Sequence, residues 1–305
     1  MAHFDVLVVG GGPAGLTAGM YSSRGGLKTG LLEGMFTGGQ IVTTPLMENF
    51  PGFPQGITGA DFGVLIEQQS TRFGLEIIYE QAESMQLDGS IKIVKTSSGE
   101  HTARAVILCM GAQPTPLYLP REFEMVGRGV SYCATCDGAF FKGKKVAVVG
   151  GGDTACEEAA YLARICEKVY LIHRRDEFRA AAVVIQRVKT DNRVERLMDT
   201  VVESILGDNV VTGLKLKNVK SNLESQIEVS GFFIAIGVHP RSEAARGQVD
   251  MTDYGYITTD SHMRTNMSGV FAAGDVRDTY LRQVVTACAD GAIAATAAGE
   301  YLMRT

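Results

Sequence analysis

The sequence lacks both the long apolar run of a membrane span and the positive charge of a nucleic-acid-binding protein. In its 305 residues, no uncharged stretch reaches the roughly 18 residues of sustained hydrophobicity that a spanning helix needs. Its 29 Lys and Arg are outnumbered by 34 Asp and Glu, which gives a net charge of -5 and no field to attract a polyanion. We therefore expect neither a membrane nor a nucleic acid among its partners.

The sequence also lacks a disulfide framework and a complete zinc motif. Its six cysteines stand at irregular spacing. Residues 1–9 run into an apolar segment without a basic leader or a cleavage site, so we predict a cytoplasmic protein. Only Cys133 and Cys136 form a CxxC pair, and the other cysteines and the five histidines offer no second pair at zinc-ligand spacing. We predict no metal site.

The segment from Cys133 to Asp137 is the strongest candidate for chemistry. Two cysteines separated by two residues can close a small disulfide, and this spacing typically lowers the pKa of one thiol. A structural disulfide and two inert core thiols are the alternatives, but the first suits an oxidising compartment and the second does not need the carboxylate of Asp137. We therefore predict a redox-active pair.

A glycine fingerprint for a dinucleotide lies at the N-terminal end of the chain. The apolar strand predicted at 4–9 runs into Gly10, Gly12 and Gly15, and a helix follows. Such glycines allow a tight turn, the approach of a pyrophosphate and close helix packing. A second strand, predicted at 28–32, ends in Glu33, which can accept hydrogen bonds from a ribose and repels a 2'-phosphate. This pattern predicts FAD or NAD(H) rather than NADP(H).

The fingerprint recurs after the CxxC pair with a different charge at its edge. A strand predicted at 144–149 leads into Gly150, Gly152 and Ala155. The next strand, predicted at 169–172, is followed by basic residues instead of a carboxylate, and guanidinium groups suit a 2'-phosphate. This cluster consists of His173, Arg174, Arg175 and Arg179. It predicts NADPH; a solvated basic surface and nucleic-acid binding are the alternatives.

The remaining segments connect these motifs. Residues 34–60 lack helical or strand periodicity, which predicts either a functional loop or a surface excursion. The proline-containing stretches at 111–116 and 239–240 are candidate interdomain connections. An Ala-rich helix is predicted at 283–301, and its N-terminus could hold the edge of an electron-rich cofactor. The alternative is a well-packed terminal helix with no ligand.

Together these features resemble the low-molecular-weight, bacterial-type thioredoxin reductases, which are FAD-containing and NADPH-dependent. The resemblance spans essentially the whole chain. It rests on both fingerprints, Cys133 to Gly138, Gly38-Gly39-Gln40, the His173 to Asp176 segment with Arg179, and Gly274-Asp275 followed by Arg282-Gln283. It implies an α/β fold of two dinucleotide-binding, Rossmann-like, three-layer domains. The NADPH domain at 115–243 would be inserted into a discontinuous FAD domain at 1–112 and 246–305.

The resemblance also implies a mechanism and a partner. Hydride would pass from NADPH to FAD and then to the Cys133–Cys136 disulfide, which would exchange with oxidised thioredoxin. Cys136 would be the sulfur next to the flavin, Cys133 would attack the partner, and Asp137 would be the acid-base group. Phe140 and Phe141 match family positions that contact thioredoxin, although core packing is an equal alternative. The family is dimeric, so a homodimer is implied.

The resemblance assigns a set of residues to each cofactor. Those assigned to FAD are Gly10, Gly12, Pro13, Ala14, Gly15, Glu33, Gly38, Gly39, Gln40, Asn49, Gly274, Asp275, Arg282, Gln283 and Val284. Those assigned to NADPH are Gly150, Gly152, Asp153, Thr154, Ala155, His173, Arg174, Arg175 and Arg179.

Other functions compete with this assignment. A relative that takes electrons from ferredoxin, or a thiol oxidase that passes them to oxygen, usually lacks the arginine cluster. A relative that feeds a peroxidase would carry an extra N-terminal module, which this sequence does not show. A non-catalytic redox sensor that binds NADPH would need an output domain, and none is visible.

Overall fold

The computed structural model describes residues 2–305, which form mainly parallel sheets with helices packed on them. The strands are β1 (His3–Val9), β2 (Thr29–Leu32), β3 (Glu76–Ile78), β4 (Ala82–Gln86), β5 (Lys92–Thr96), β6 (Gly99–Leu108), β7 (Ala112–Pro114), β8 (Val130–Ser131), β9 (Lys145–Val149), β10 (Lys168–Ile172), β11 (Val194–Leu197), β12 (Thr200–Leu206), β13 (Gly213–Asn218), β14 (Glu224–Glu228), β15 (Gly231–Ile234), β16 (Val238–Pro240) and β17 (Val270–Ala272). The helices are α1 (Pro13–Arg24), α2 (Gly59–Thr71), α3 (Ala134–Asp137), α4 (Asp153–Leu162), α5 (Ala182–Thr190) and α6 (Val284–Arg304). Short 3-10 helices lie at Gly39–Thr43, Gly138–Phe141, Glu243–Ala245 and Gly274–Val276.

The chain divides into two compact units. The first contains the N-terminal part of the chain up to Gln113 and resumes over His239–Thr305, and the second is Pro114–Val238. The chain crosses between them at β7 and β16, which pair with each other in a two-stranded sheet. Both strands fall in the proline-containing stretches that stand out in the sequence.

The first unit is built on a seven-stranded sheet in the order β3-β2-β1-β6-β5-β4, with β17 paired to β6. Its centre is parallel, and Val8 of β1 lies opposite Leu31 of β2 and Ile107 of β6. All three side chains are fully buried, as expected for parallel strands covered on both faces. Helices α1 and α6 pack so closely that a Cβ at Gly291 of α6 would lie only 2.2 Å from the carbonyl oxygen of Ala14.

The second unit repeats the strand, glycine turn and helix of the first. Its parallel sheet has the order β11-β10-β9-β15-β8, and Val148 of β9 lies opposite Leu171 of β10 and Phe233 of β15. An antiparallel sheet of β12, β13 and β14 packs its apolar side chains against the same strands. The predicted α/β class with two Rossmann-like units is thus confirmed. Among residues 2–305, no helix is long and apolar enough to cross a bilayer.

Several element boundaries differ from the sequence prediction. Helix α2 begins at Gly59, within the segment 34–60 that was predicted to lack regular structure, because the Thr58 hydroxyl caps it by accepting the Asp61 N–H at 3.0 Å. Residues 34–60, predicted as a loop without regular structure, contain the 3-10 helix Gly39–Thr43. Strands β4, β11 and β12 were not predicted; β4, for example, is half polar and lies at a sheet edge.

Candidate redox centre and nucleotide-binding loops

The two cysteines of the CxxC segment are joined in a disulfide. Their Cα atoms lie 5.3 Å apart, and Cys133 is the N-cap of α3. The N–H of Cys136 donates to the sulfur of Cys133 at 3.2 Å. Both residues are only partly buried. The pair is therefore held in one short turn at a half-exposed position in the second unit.

Asp137 lies next to this disulfide and is tied to it through Ser131 of β8. The Ser131 hydroxyl donates to Oδ2 of Asp137 at 2.6 Å, and it accepts the N–H of Cys133 at 3.1 Å. Burial raises the pKa of Asp137, and the hydrogen bond from Ser131 opposes that rise. The predicted acid-base residue is thus a partly desolvated carboxyl beside the cysteines.

Two buried carboxyl groups near the CxxC segment were missed in the sequence. Glu158 of α4 accepts the N–H of Ala134, the residue after Cys133, at 3.2 Å. In the sequence, Glu158 lies on the same face of α4 as the buried Ala155 and Leu162. A carboxylate among apolar residues was the one sign that this side chain is buried. Glu122 is fully buried and accepts the Tyr132 hydroxyl at 2.5 Å, which anchors the residue before Cys133. No local pattern marks Glu122, because its backbone donors come from the irregular loop around it.

The two phenylalanines after the motif have different roles. Phe141 packs edge-on against Phe233, with ring centroids 5.4 Å apart, and it fills the space above Gly231. Phe140 is 36 % exposed. Core packing therefore explains Phe141, whereas Phe140 remains at the surface of the second unit.

The first glycine loop gathers backbone groups at the start of α1. Gly10 has a φ of 105°, and a Cβ at Gly15 would lie 1.8 Å from the Gly10 carbonyl oxygen, so both positions require glycine. The N–H of Gly11 donates to Oε2 of Glu33 at 2.8 Å, and Met35 N–H donates to Oε1 at 3.1 Å. Beside Gly12, a Cβ would meet nothing nearer than 4.0 Å. This open backbone next to a carboxylate fits a pyrophosphate and a ribose.

The loop after β2 lies against the first glycine loop. The N–H of Gly38 donates to the carbonyl oxygen of Gly11 at 2.8 Å, and a Cβ at Gly39 would lie 3.1 Å from the Cα of Gly12. Gln40 comes next, in the 3-10 helix, and is exposed. The structure therefore brings these two predicted parts of the FAD site together.

Asn49 and the start of α6 are also joined. The side-chain amide of Asn49 donates to Oε1 of Gln283, the N-cap of α6, at 3.0 Å. The guanidinium of Arg282 lies over the ring of Tyr256, 4.3 Å from its centroid. Nε of Arg282 is buried and has no hydrogen-bond partner among residues 2–305. This unpaired donor lies next to the N-terminus of α6, which is the helix that begins at Val284. Such a donor fits the edge of a flavin.

The turn after β17 reaches the same glycine loop. A Cβ at Gly274 would lie 2.9 Å from the Cβ of Ala14, next to Pro13 at the start of α1. Burial raises the pKa of Asp275 to about 6. The turn is held by Asp290 of α6, which accepts the Gly274 N–H at 3.1 Å, but this contact was not foreseen because Asp290 is remote in sequence.

A cavity of about 400 Å³ opens beside this loop within the first unit. It is lined by Gly10 and Glu33, and also by Gln81, Met110 and Arg241. Only the first two were predicted, because the others come from segments without a recognisable motif. The cavity has both the carboxylate and the glycine backbone that the dinucleotide prediction requires.

The second glycine loop has a different neighbour. Gly150 has a φ of 153°, and a Cβ at Gly151 would collide with the ring of His173 at 2.1 Å. The N–H of Arg179 donates to the carbonyl oxygen of Gly151 at 2.7 Å, so the basic segment is tied to the loop. At Gly152 a Cβ would meet nothing within 4 Å. This open backbone position fits a second pyrophosphate.

The basic cluster surrounds a buried histidine. Arg174, Arg175 and Arg179 are exposed, whereas His173 is 5 % exposed and its Nε2 has no partner among residues 2–305. Burial lowers the pKa of His173, and the three arginines lower it further. The cluster therefore combines a neutral ring with exposed guanidinium groups that fit a 2'-phosphate.

The other residues predicted for NADPH lie in the first turn of α4. Oδ1 of Asp153 accepts the N–H of Ala181 at 2.7 Å, so this carboxylate holds the segment before α5. Thr154 is exposed and Ala155 is fully buried. Asp153 thus has a structural contact, Thr154 faces solvent, and Ala155 packs inside the loop.

Comparisons with known proteins agree with this geometry. The profile of the pyridine nucleotide-disulphide oxidoreductases matches residues 4–291. The chain is 44 % identical over 305 residues to a thioredoxin reductase of Peptoclostridium acidaminophilum, covering 98 % of this chain and 97 % of the relative. A bifunctional thioredoxin reductase/thioredoxin of Mycobacterium leprae is 44 % identical over 98 % of this chain and 66 % of its own length.

Solved structures show the same relationship. The thioredoxin reductase of Streptococcus pyogenes MGAS5005 superimposes with a TM-score of 0.96 at 38 % identity, covering 99 % of both chains. That of Giardia duodenalis gives 0.95 at 38 % identity, covering 99 % of this chain and 100 % of the other. The chain therefore belongs to the pyridine nucleotide-disulphide oxidoreductases, as a flavoprotein of the thioredoxin reductase type with FAD and NADPH as its cofactors.

Proposed function

We propose that the chain is a thioredoxin-disulfide reductase whose first unit is the FAD domain and whose second unit is the NADPH domain. The observation that carries this function is the Cys133–Cys136 disulfide beside Asp137, in a chain 44 % identical to thioredoxin reductases. The predicted domain segments, 1–112 with 246–305 and 115–243, differ by a few residues from the compact units.

The first unit would hold FAD, which supplies two-electron transfer between a hydride donor and a disulfide. The donor set supports this: open backbone at Gly12, the Glu33 carboxylate and the unpaired Nε of Arg282. Glu33 would accept a ribose hydroxyl, and the N–H groups after Pro13 would bind phosphate oxygens. Gly274 and Gln283 would close the other end of the same site.

The second unit would hold NADPH at the loop from Gly150 to Ala155. Arg174, Arg175 and Arg179 would bind the 2'-phosphate, because exposed guanidinium forks suit its oxygens. His173 would cover the loop as a neutral ring. The tie between Arg179 and Gly151 supports the assignment, because it fixes the basic segment relative to the phosphate-binding turn.

The redox centre would perform the exchange with thioredoxin. The Cys133 thiolate would attack one sulfur of the partner's disulfide and form a mixed disulfide, releasing the partner's other thiolate. Cys136 would then attack Cys133, so that the Cys133–Cys136 bond reforms and the partner leaves as a dithiol. Asp137 would move the protons, since each thiolate that leaves must be protonated and each attacking thiol deprotonated.

Thioredoxin is the partner of this reaction, and the fused reductase and thioredoxin of Mycobacterium leprae support that pairing.

We infer a homodimer, as in the family. Tyr280, Leu281 and Val285, around the start of α6, are exposed and offer apolar surface for it. We also infer a cytoplasmic location, because the four remaining cysteines are free and a reducing compartment keeps thiols reduced. Analytical ultracentrifugation tests the dimer directly.

An anaerobic titration of the holoprotein tests the function. NADPH is expected to bleach the visible flavin band, NADH to do so less effectively, and oxidised thioredoxin to restore the colour. In C133S and C136S, NADPH should still bleach the band but thioredoxin should not restore it, whereas C166A, at a buried cysteine outside the motif, should behave as the unmodified protein. If neither nucleotide bleaches the flavin, the electron donor is different, and a ferredoxin-dependent or thiol-oxidase activity replaces this proposal.

A further inference from the structure

A second carboxyl group, on helix α4, binds the backbone of the turn that carries the disulfide. Glu158 lies one and a half turns into α4, and its Oε1 accepts the N–H of Ala134 between the two cysteines, at 3.2 Å. Helix α4 also begins at the second glycine loop. One side chain thus links the redox turn to the helix that would carry NADPH.

The two carboxyl groups beside the disulfide have unequal hydrogen-bond partners. Oδ2 of Asp137 accepts the Ser131 hydroxyl at 2.6 Å, which favours its ionised form. Oε2 of Glu158 is buried and has no partner among residues 2–305. An ionised Glu158 would therefore leave one charged oxygen without a donor, which is unfavourable in a desolvated site.

Within residues 2–305, no basic side chain forms an ion pair with Glu158. The basic residues on the elements packed against α4 are Lys145 of β9, Lys168 of β10, and Arg187 and Lys189 of α5, and none of them forms an ion pair with Glu158. On its own helix, Asp153 and Glu157 are exposed acids. The charged group that acts on Glu158 from α3 is Asp137, which has the same sign.

We propose that Asp137 and Glu158 hold one proton between them near neutral pH, that Glu158 carries it, and that Glu158 is thereby a positioning residue of the redox centre. It does not touch a sulfur atom; it acts through Asp137. The protonation of Glu158 does not depend on the proposed function. Only the use of its proton in disulfide reduction rests on that function.

The electrostatics of the site support the order of ionisation. Burial raises the pKa of Glu158 to about 7, and the charge of Asp137 adds to that rise while the Ala134 hydrogen bond opposes it. Two interacting acids lose their protons in two steps, and the first loss belongs to the residue with better hydrogen-bond partners. Asp137 therefore ionises first, and the pair keeps its last proton up to about pH 7.

The reaction has a use for that proton. Reduction of the disulfide to two thiols takes up two electrons and two protons, and a hydride equivalent accounts for both electrons and one of the protons. The second proton must come from an acid near the sulfur that leaves as a thiolate. A proton on Glu158 can supply this need through Asp137. Solvent must then restore it in each cycle, because both thiol protons of the enzyme leave on the two thiols of reduced thioredoxin.

Carbon NMR of the oxidised holoprotein labelled with ¹³Cδ-glutamate tests the proposal. One glutamate carboxyl is expected to titrate near pH 7, to be missing in E158Q, and to persist in E157Q, the exposed neighbour on the same helix. In D137N the same resonance should titrate roughly one pH unit lower, because the like charge is gone. The proposal is wrong if the Glu158 resonance titrates like an ordinary glutamate, or if D137N leaves it unmoved.

The pH dependence of turnover gives a second, independent readout. Below about pH 7 the unmodified pair holds its proton, whereas E158Q has lost it; above about pH 8 neither holds one. The rate of E158Q relative to the unmodified enzyme should thus be lowest near pH 6, by roughly threefold to tenfold, and approach one at alkaline pH. A ratio independent of pH would indicate a merely structural role. Absence of turnover with thioredoxin would overturn the proposed function and leave the NMR titration still decisive for the proton.

Discussion

The two glycine loops share a strand, a turn and a helix but differ at the third position of the fingerprint. In the first loop a Cβ at Gly15 would lie 1.8 Å from the Gly10 carbonyl oxygen, so only glycine fits. In the second loop Ala155 occupies this position, and it is Gly150 whose Cβ would collide with it, at 2.5 Å. A Cβ at Gly10 or at Gly150 would also lie 2.4 or 2.3 Å from a backbone carbonyl oxygen, so the first position requires glycine in both loops. The loops differ in whether the third position leaves room for a methyl group.

The loops also differ in the residues that come after their second strand. Both carboxylate oxygens of Glu33 accept hydrogen bonds from backbone N–H groups, those of Gly11 and Met35. The charge of Glu33 is therefore held at the turn. In the second loop the ring of His173 covers Gly151, and the arginines beside it are exposed. From this difference we infer that the turn would recognise the part that all dinucleotides share, whereas the residues after the second strand would decide which nucleotide is bound.

Exchanging the third residues should give the largest effect. We expect G15A to lose its flavin and much of its stability, because the added methyl meets backbone that cannot move aside. A155G should fold and cost about 1 kcal/mol, the usual penalty of glycine in a helix. Urea denaturation and the flavin content of the purified proteins measure both. Equal effects of the two substitutions would show that the loops are closed in the same way.

Removing the arginines should have the next largest effect. We expect R174A/R175A to weaken NADPH binding by roughly tenfold to a hundredfold, and to leave NADH almost unchanged, because only NADPH carries the 2'-phosphate. KM and kcat with both nucleotides measure this. R187A, an exposed arginine on α5, is the matched control and should change neither. A parallel loss for NADH would mean that the cluster does not recognise the phosphate.

Replacing the carboxylate of the first loop should have a smaller effect. E33Q keeps one acceptor oxygen but loses the charge, so we expect FAD to bind roughly tenfold more weakly while the fold is retained. Flavin retention during dialysis and rebinding of FAD to the stripped protein measure it. E76Q, an exposed carboxylate at the start of β3, should retain flavin normally. Unchanged FAD binding in E33Q would show that Glu33 does not determine which nucleotide the first loop binds.

Local pattern was enough to predict much of both loops. Apolar β-branched runs and glycine spacing identified β1 and β9 to within one residue at each end. Glu33 and the arginines could be found because each comes after a predicted strand at a fixed distance from the first glycine. The CxxC pair is itself a local motif, and its disulfide is present.

Contacts that join distant segments could not be predicted in this way. Glu158 approaches Ala134 across 24 residues, and Asp290 reaches Gly274 across 16. Neither pair has a spacing that implies contact, since the packing of α4 on α3 and of α6 on the turn after β17 creates them. Short polar strands such as β4 were missed for the same reason, because pairing with a neighbour rather than their own sequence makes them strands.

The smallest effect concerns the ring that covers the second loop. Burial and the nearby arginines lower the pKa of His173, so its ring is neutral at pH 7. In R174A/R175A two of those charges are gone, so we expect its pKa to rise but to stay below that of a free histidine, because burial is the larger cause and remains. NMR titration of the histidine ring protons, assigned by their loss in H173N, measures it. A rise above the value of a free histidine would show that the charges, not burial, keep the ring neutral.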